Sequence, residues 1–270
     1  MSLVNTSWLE RNLDKIKIID CSWHMPQMKR DGFSEYQKQH IENALFFDLD
    51  KNSKTDTDLP HMLPDKKTWE KIISSMGIRN EDQIIIYDNS DVISSCRCWY
   101  NFIYFGHNPT LVHVLNGGLK KWKNEKKQMV ASLTKVKISN YIATEKKELV
   151  KNKKQIDENI TANKFKVIDA RSRERFDGKV TEPRKGLRSG SIKNSFCLPF
   201  SEVINEDHTF ISEDKILKKF ELTKCKLNEN IVFTCGSGVT ASVLALAYSL
   251  IDTKYMPTIY DGSWSEYGKN

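Results

Sequence analysis

Short β-branched runs alternate with stretches of helical period along this chain. Ile84–Tyr87 precedes the helical pattern Ile93–Phe105, and Ile231–Thr234 precedes Ala241–Ile251. Alternation of this kind predicts an α/β fold, a mainly parallel sheet flanked by helices. In such sheets functional sites form outside the carboxyl ends of the strands.

The pattern occurs twice. The first half reads Ile18-Ile19-Asp20, Phe33, His40-Ile41, Ala44, Phe47-Asp48, Ile84–Asp88 and Asn116-Gly117-Gly118 with Trp122. The second half reads Val167-Ile168-Asp169, Phe176, Ser191-Ile192, Ser195, Leu198-Pro199, Ile231–Cys235 and Tyr260–Trp264. Asp169 follows Asp20 by 149 residues, Cys235 follows Asp88 by 147, and Gly262 follows Gly118 by 144. A preserved order with a drifting offset predicts two tandem copies of one domain. The boundaries expected are 1–135 for the first copy, 136–160 for a Lys-rich linker and 161–270 for the second copy.

One position separates the copies chemically. Cys235 ends the apolar run Ile231–Thr234 and is followed by Gly236-Ser237-Gly238-Val239-Thr240 before a helical pattern begins. Glycines let the turn curl around the sulfur, inward amides make an anion nest, and the helix start adds its dipole. This combination is expected to lower the thiol pKa and make Cys235 a nucleophile. Asp88 stands at the matching place in the first copy, and the following Asn89-Ser90-Asp91-Val92 has no glycine and carries an acid. The first copy is therefore expected to be catalytically silent.

Composition narrows the partners. The 270 residues carry a net charge of +7, which raises the question of nucleic acid. Between Lys120 and Lys154, however, twelve lysines face three glutamates, so this stretch carries +9 and the rest of the chain −2. A lysine-rich stretch with little aromatic interleaving reads as a solvated linker, and no nucleic-acid binding is expected. No apolar run approaches the roughly 20 residues that span a bilayer, and the first 20 residues hold no apolar signal core, so no membrane partner and a cytoplasmic location are expected. The six cysteines form no CxxC pair and are expected to be free thiols, with no metal site. Monomer is the default.

The residues resemble the two-domain rhodanese-like sulfurtransferases over nearly the whole chain, from about Val4 to Gly268. The loop Cys235–Thr240 is similar to that of the 3-mercaptopyruvate sulfurtransferases, whereas thiosulfate-preferring members usually carry basic residues after the cysteine. Tyr260-Asp261-Gly262-Ser263-Trp264-Ser265-Glu266-Tyr267-Gly268 also matches, with Tyr267 where Trp is usual. Asp169-Ala170-Arg171-x-x-x-Arg175-Phe176 and Glu182-Pro183-Arg184 resemble segments that supply the family's two substrate arginines, here Arg175 and Arg184. Two guanidiniums suit a small α-keto carboxylate. Phe46–Asp50 and His61–Pro64 resemble segments that reach the family's interdomain cleft. The resemblance implies a relay in which Asp50 orients His61 and His61 takes the proton of Ser237.

The activity implied is transfer of sulfur from 3-mercaptopyruvate through a Cys235 persulfide. The loop residues Gly236, Gly238, Val239 and Thr240 would hold the sulfur. The acceptor implied is thioredoxin, a low-molecular-weight thiol or cyanide, with pyruvate released and no cofactor needed. Three alternatives stand beside it. A thiosulfate-preferring enzyme would use the same nucleophile. A cysteine phosphatase needs Arg at the seventh loop position, which here is Ala241. A non-enzymatic sulfur carrier would lack the substrate arginines.

Overall fold

The computed structural model describes residues 2–269, which form two compact units. Among the described residues the first comprises 2–55, 63–146 and 206–209, and the second 56–62, 147–205 and 210–269.

In the first unit β1 (Leu3–Val4), β2 (Lys17–Asp20), β3 (Ala44–Phe46), β4 (Ile84–Tyr87) and β5 (Val112–Leu115) make one sheet in the order β1-β5-β4-β2-β3. Every pairing is parallel. The helices are α1 (Thr6–Glu10), α2 (Gly32–Lys38), α3 (Lys66–Ser75), α4 (Ser95–Tyr104) and α5 (Gly118–Asn124). All four residues of β4 are buried, as a parallel strand covered on both faces requires. Ile18, Ile85, Tyr87 and Trp122 anchor one face of the core.

The second unit repeats the plan. Its strands are β6 (Val150–Lys151), β7 (Lys166–Asp169), β8 (Phe196–Cys197), β9 (Ile231–Thr234) and β10 (Ile259–Tyr260). Their order is β6-β10-β9-β7-β8, again all parallel. Its helices are α6 (Lys153–Ala162), α7 (Arg173–Phe176), α8 (Glu213–Leu222), α9 (Val239–Ile251) and α10 (Ser263–Tyr267). α9 is buried without a break from Ala241 to Tyr248, so it is apolar all round rather than amphipathic. Asp20 pairs with Tyr87 and Asp169 with Thr234, so Asp88 and Cys235 leave their sheets one residue past matched strand ends.

Two expectations need correction. The stretch 136–160 is not a solvated linker. Thr144 and Lys146 donate backbone hydrogen bonds to Phe105 and Tyr104, and Tyr141 is buried, which ties residues up to 146 to the first unit. Val150 then pairs with Ile259 in β10, and α6 opens with a capping box between Asn152 and Gln155. The lysines hid a set of apolar positions, Leu149 and Ile156 among them, that are buried in the second unit. The helix after the Cys235 loop also starts at Val239, not Ala241, because Gly238 at φ +80° serves as its N-cap. No described helix is long and apolar enough to cross a membrane.

Candidate active site

Strand β9 delivers Cys235 into the loop that leads to α9, and α10 grips that loop from behind. The Trp264 amide donates to the Cys235 carbonyl at 2.9 Å. The Ser265 amide and hydroxyl both donate to the Gly236 carbonyl, at 2.9 and 2.6 Å. A trans peptide points its N–H opposite to its C=O. Pulling these two carbonyls toward α10 therefore turns the amides of Gly236 and Ser237 the other way, into the loop. Among the described residues no acceptor meets the amides of Gly236 to Thr240. The Cys235 amide is not one of this set, because it donates to Ser263 Oγ at 3.2 Å. With the amino end of the 13-residue α9, these donors make a cradle for a negatively charged sulfur. The two glycines serve different ends. Gly238 takes the left-handed conformation. Gly236 does not; a Cβ there would lie 3.3 Å from Arg175 Nη2 and 3.4 Å from Arg184 Nη1, so its missing side chain makes room for two guanidiniums.

The arginines expected from the sequence thus stand together over the loop. Arg184 Nη2 donates to Ser237 Oγ at 3.3 Å. Arg175 is held by Glu182, with Nε to Oε1 at 3.1 Å and Nη2 to Oε2 at 2.6 Å. The same Glu182 accepts from Arg171 Nη1 at 2.8 Å. Arg171 is buried, bonded to Asp169 through Nε and Nη2 and to the Gly190 carbonyl, and its guanidinium lies 4.3 Å from the centre of the Trp264 ring. Glu182, Arg171, Ser263 and Ser265 hold Arg175 and the loop in place and escaped the sequence reading. Arg171 and Glu182 lie inside the very motifs that carry Arg175 and Arg184, which was the available signal.

His61 reaches the second unit through the segment 56–62. Lys269 pairs with Asp58 at 2.6 Å, and His61 Nδ1 lies 2.9 Å from Ser237 Oγ. His61 is buried and holds φ +59°, a conformation uncommon outside glycine. A serine oxygen has two acceptor lone pairs, so Arg184 and His61 can both meet it; the neutral imidazole with its proton on Nε2 is the tautomer in which Nδ1 accepts the Ser237 proton. Asp50, the third member of the expected relay, belongs to the first unit, where its carboxylate accepts from Trp23 Nε1 at 2.9 Å. The second unit by itself assembles the Ser237–His61 half.

The first unit supplies a control. Leu119 donates to the Asp88 carbonyl at 2.8 Å, just as Trp264 does to Cys235. Yet the Asp88 carboxylate accepts from the amides of Ser90 and Ser95, at 2.8 and 2.9 Å, so this cradle is filled by its own side chain at the start of α4. Burial raises the Asp88 pKa. All six cysteines are free thiols. Burial pushes the Cys21, Cys96 and Cys225 thiols up and the Cys197 thiol up to about 12, which keeps them protonated and inert. Two cavities of about 640 and 740 Å³ open near Asn230 at the amino end of β9, and no residue of the Cys235 loop lines either. Among the described residues no three His, Cys, Asp or Glu side chains gather as a metal site needs.

The family model for the rhodanese-like domain matches residues 5–125 and again 152–270. The chain is 36% identical to thiosulfate/3-mercaptopyruvate sulfurtransferase 1, mitochondrial, of Arabidopsis thaliana, over 98% of this chain and 75% of that protein. It belongs to the two-domain rhodanese-like sulfurtransferases. This sulfurtransferase is also 33% identical to the 3-mercaptopyruvate sulfurtransferase of Mus musculus, over 98% of this chain and 91% of that one. Among solved structures, SseA from Escherichia coli, described as a 3-mercaptopyruvate sulfotransferase with the rhodanese fold, superposes with a TM-score of 0.88 at 30% identity, covering 98% of this chain and 99% of SseA. The expected duplication, α/β class and family all hold, and the activity is sulfur transfer of the 3-mercaptopyruvate/thiosulfate type.

Proposed function

We propose that this sulfurtransferase takes its sulfur from 3-mercaptopyruvate, with Cys235 as the nucleophile. One observation carries the choice of donor: two guanidinium groups converge over Gly236, the residue next to the nucleophile. A carboxylate with an adjacent ketone offers oxygens to both; thiosulfate offers no carboxylate.

In this reading Arg175 and Arg184 hold the carboxylate and ketone end while the donor sulfur meets Cys235. The Cys235 thiolate attacks that sulfur. The carbon–sulfur bond breaks and its electron pair passes into the enolate of pyruvate. Cys235 keeps the sulfur as a persulfide, and the enolate carbon takes one proton to complete the methyl group. The Ser237–His61 pair manages that proton. The amides of Gly236 to Thr240 stabilise the terminal sulfur of the persulfide. A thiol acceptor, thioredoxin or a small thiol, or else cyanide, then removes it in the second half of a double displacement.

The test is mass spectrometry after addition of mercaptopyruvate, followed by rates on two donors. The Cys235 peptide gains one sulfur atom, and Cys235→Ser gains none. Arg184→Ala weakens use of mercaptopyruvate far more than use of thiosulfate. Equal losses on both donors would falsify the carboxylate role and favour a thiosulfate-preferring enzyme. Sulfur loading without turnover on either donor would leave only a carrier.

A further inference from the structure

Resting on the reading that Arg175 and Arg184 hold the donor carboxylate, we propose that Glu182 is a positioning residue that sets donor choice, through the edge of Arg175 it occupies and the charge it contributes.

The geometry comes first. A guanidinium has two edges that can engage a planar acid in a fork: Nε with one terminal nitrogen, and the two terminal nitrogens together. Glu182 takes the Nε–Nη2 edge of Arg175 with two bonds. The terminal edge is what remains for substrate, and Nη2 is the atom that comes to 3.3 Å of the absent Gly236 Cβ. Glu182 cannot drift. Its side chain is 1% exposed and is bonded at Oε1 to Arg171, whose own side chain is fully buried. Arg171 is fixed in turn by Asp169, by the Gly190 carbonyl and by the Trp264 ring. The orientation of Arg175 is thus set by a rigid chain that ends at Glu182.

Charge comes second. Arg171, Arg175 and Arg184 bring three positive charges, and Asp169 and Glu182 bring two negative ones. The five charges sum to one positive charge. The Cys235 thiolate draws on the same charge, so a thiosulfate dianion brings one more uncompensated negative charge than a mercaptopyruvate monoanion. Removal of the Glu182 charge leaves two, releases the Nε edge of Arg175 and loosens the fork. Both changes move the balance toward thiosulfate.

The test is Glu182→Gln, assayed on both donors with the wild type and Arg184→Ala alongside. The KM for mercaptopyruvate rises about tenfold, the equivalent of one lost charge-assisted hydrogen bond, while kcat changes by less than about threefold. The value of kcat/KM for thiosulfate stays level or rises. The rate at which the neutral reagent iodoacetamide alkylates Cys235 does not fall, which a collapsed loop would not allow. Equal losses on both donors, or a fall in the iodoacetamide rate, mark a merely structural role and overturn the proposal, as does an unchanged donor ratio. If Glu182→Gln does not fold, Glu182→Asp carries the test. It keeps the charge, draws the carboxylate back by one methylene and lowers the mercaptopyruvate-to-thiosulfate ratio several-fold; a wild-type ratio there overturns the proposal. Failure of the underlying reading looks different, because then Arg184→Ala also leaves the donor ratio at its wild-type value.

Discussion

Replacing each of the two loop glycines by alanine separates room for two guanidiniums from backbone strain. At Gly236 the backbone is not left-handed, so a methyl group adds no torsional penalty. It does arrive 3.3 Å from Arg175 Nη2 and 3.4 Å from Arg184 Nη1. Both contacts are tips of flexible side chains, which yield by a few tenths of an ångström. Arg184 sits at 3.3 Å from Ser237 Oγ, near the outer limit of a hydrogen bond, so little stability is lost when its guanidinium shifts. A guanidinium so displaced gives up a hydrogen bond to the donor carboxylate; a hydrogen bond to a charged group contributes about 1.5–3 kcal/mol, and 1.4 kcal/mol is about tenfold in affinity. Gly236→Ala is therefore expected to raise the KM for mercaptopyruvate by about tenfold or more, with stability changed by less than about 1 kcal/mol. Gly238→Ala meets the opposite problem. At φ +80° a side chain costs about 1–2 kcal/mol, so the unfolding temperature of the second unit falls by roughly 3–10 °C. Initial rates and thermal unfolding followed by circular dichroism on both variants read the two effects apart. A Gly236→Ala protein with wild-type KM, or one that melts as early as Gly238→Ala, would refute the assignment of Gly236 to making room.

Three further outcomes are expected. Burial holds the Asp20 carboxyl at about 7, against an ordinary 3.8. A raised carboxyl favours the folded state below the unfolded value and loses that advantage as pH rises from about 4 to about 7, a change on the order of 4 kcal/mol. Asp20→Asn should remove this decline in urea titrations across that range, and an unchanged slope would count against it. Ser265→Ala keeps the amide bond to the Gly236 carbonyl but loses the hydroxyl one, about 1 kcal/mol. The Cys235 persulfide should then decay several-fold faster in a cyanide-release assay, and an unaltered lifetime would exclude the clamp. Brief treatment with iodoacetamide near neutral pH should label Cys235 and spare Cys197, whose thiol is held up at about 12; peptide mapping that finds both equally labelled contradicts the cradle.

The duplicated plan was legible from residue order, because a parallel sheet writes its buried strands as short β-branched runs such as Ile84–Tyr87 and Ile231–Thr234. Cys235 was legible for the same reason, since a strand end, glycines and a helix start are all local signals. Arg175 and Arg184 were readable only as members of a familiar motif. The Lys-rich stretch misled because charge hides helical and strand positions whose few apolar residues pack elsewhere, as at Leu149 and Ile156.

Local chemistry, then, already decided where the proposed nucleophile stands and that its counterpart Asp88 offers no thiol. Folding alone decided which groups converge on it. Glu182 turns Arg175, Ser263 and Ser265 turn the loop peptides, and His61, 176 residues from Ser237, comes to 2.9 Å. Such pairings follow from chain crossings, sheet order and burial, where an unpaired charge is too costly to leave alone, and no run of neighbouring residues records them.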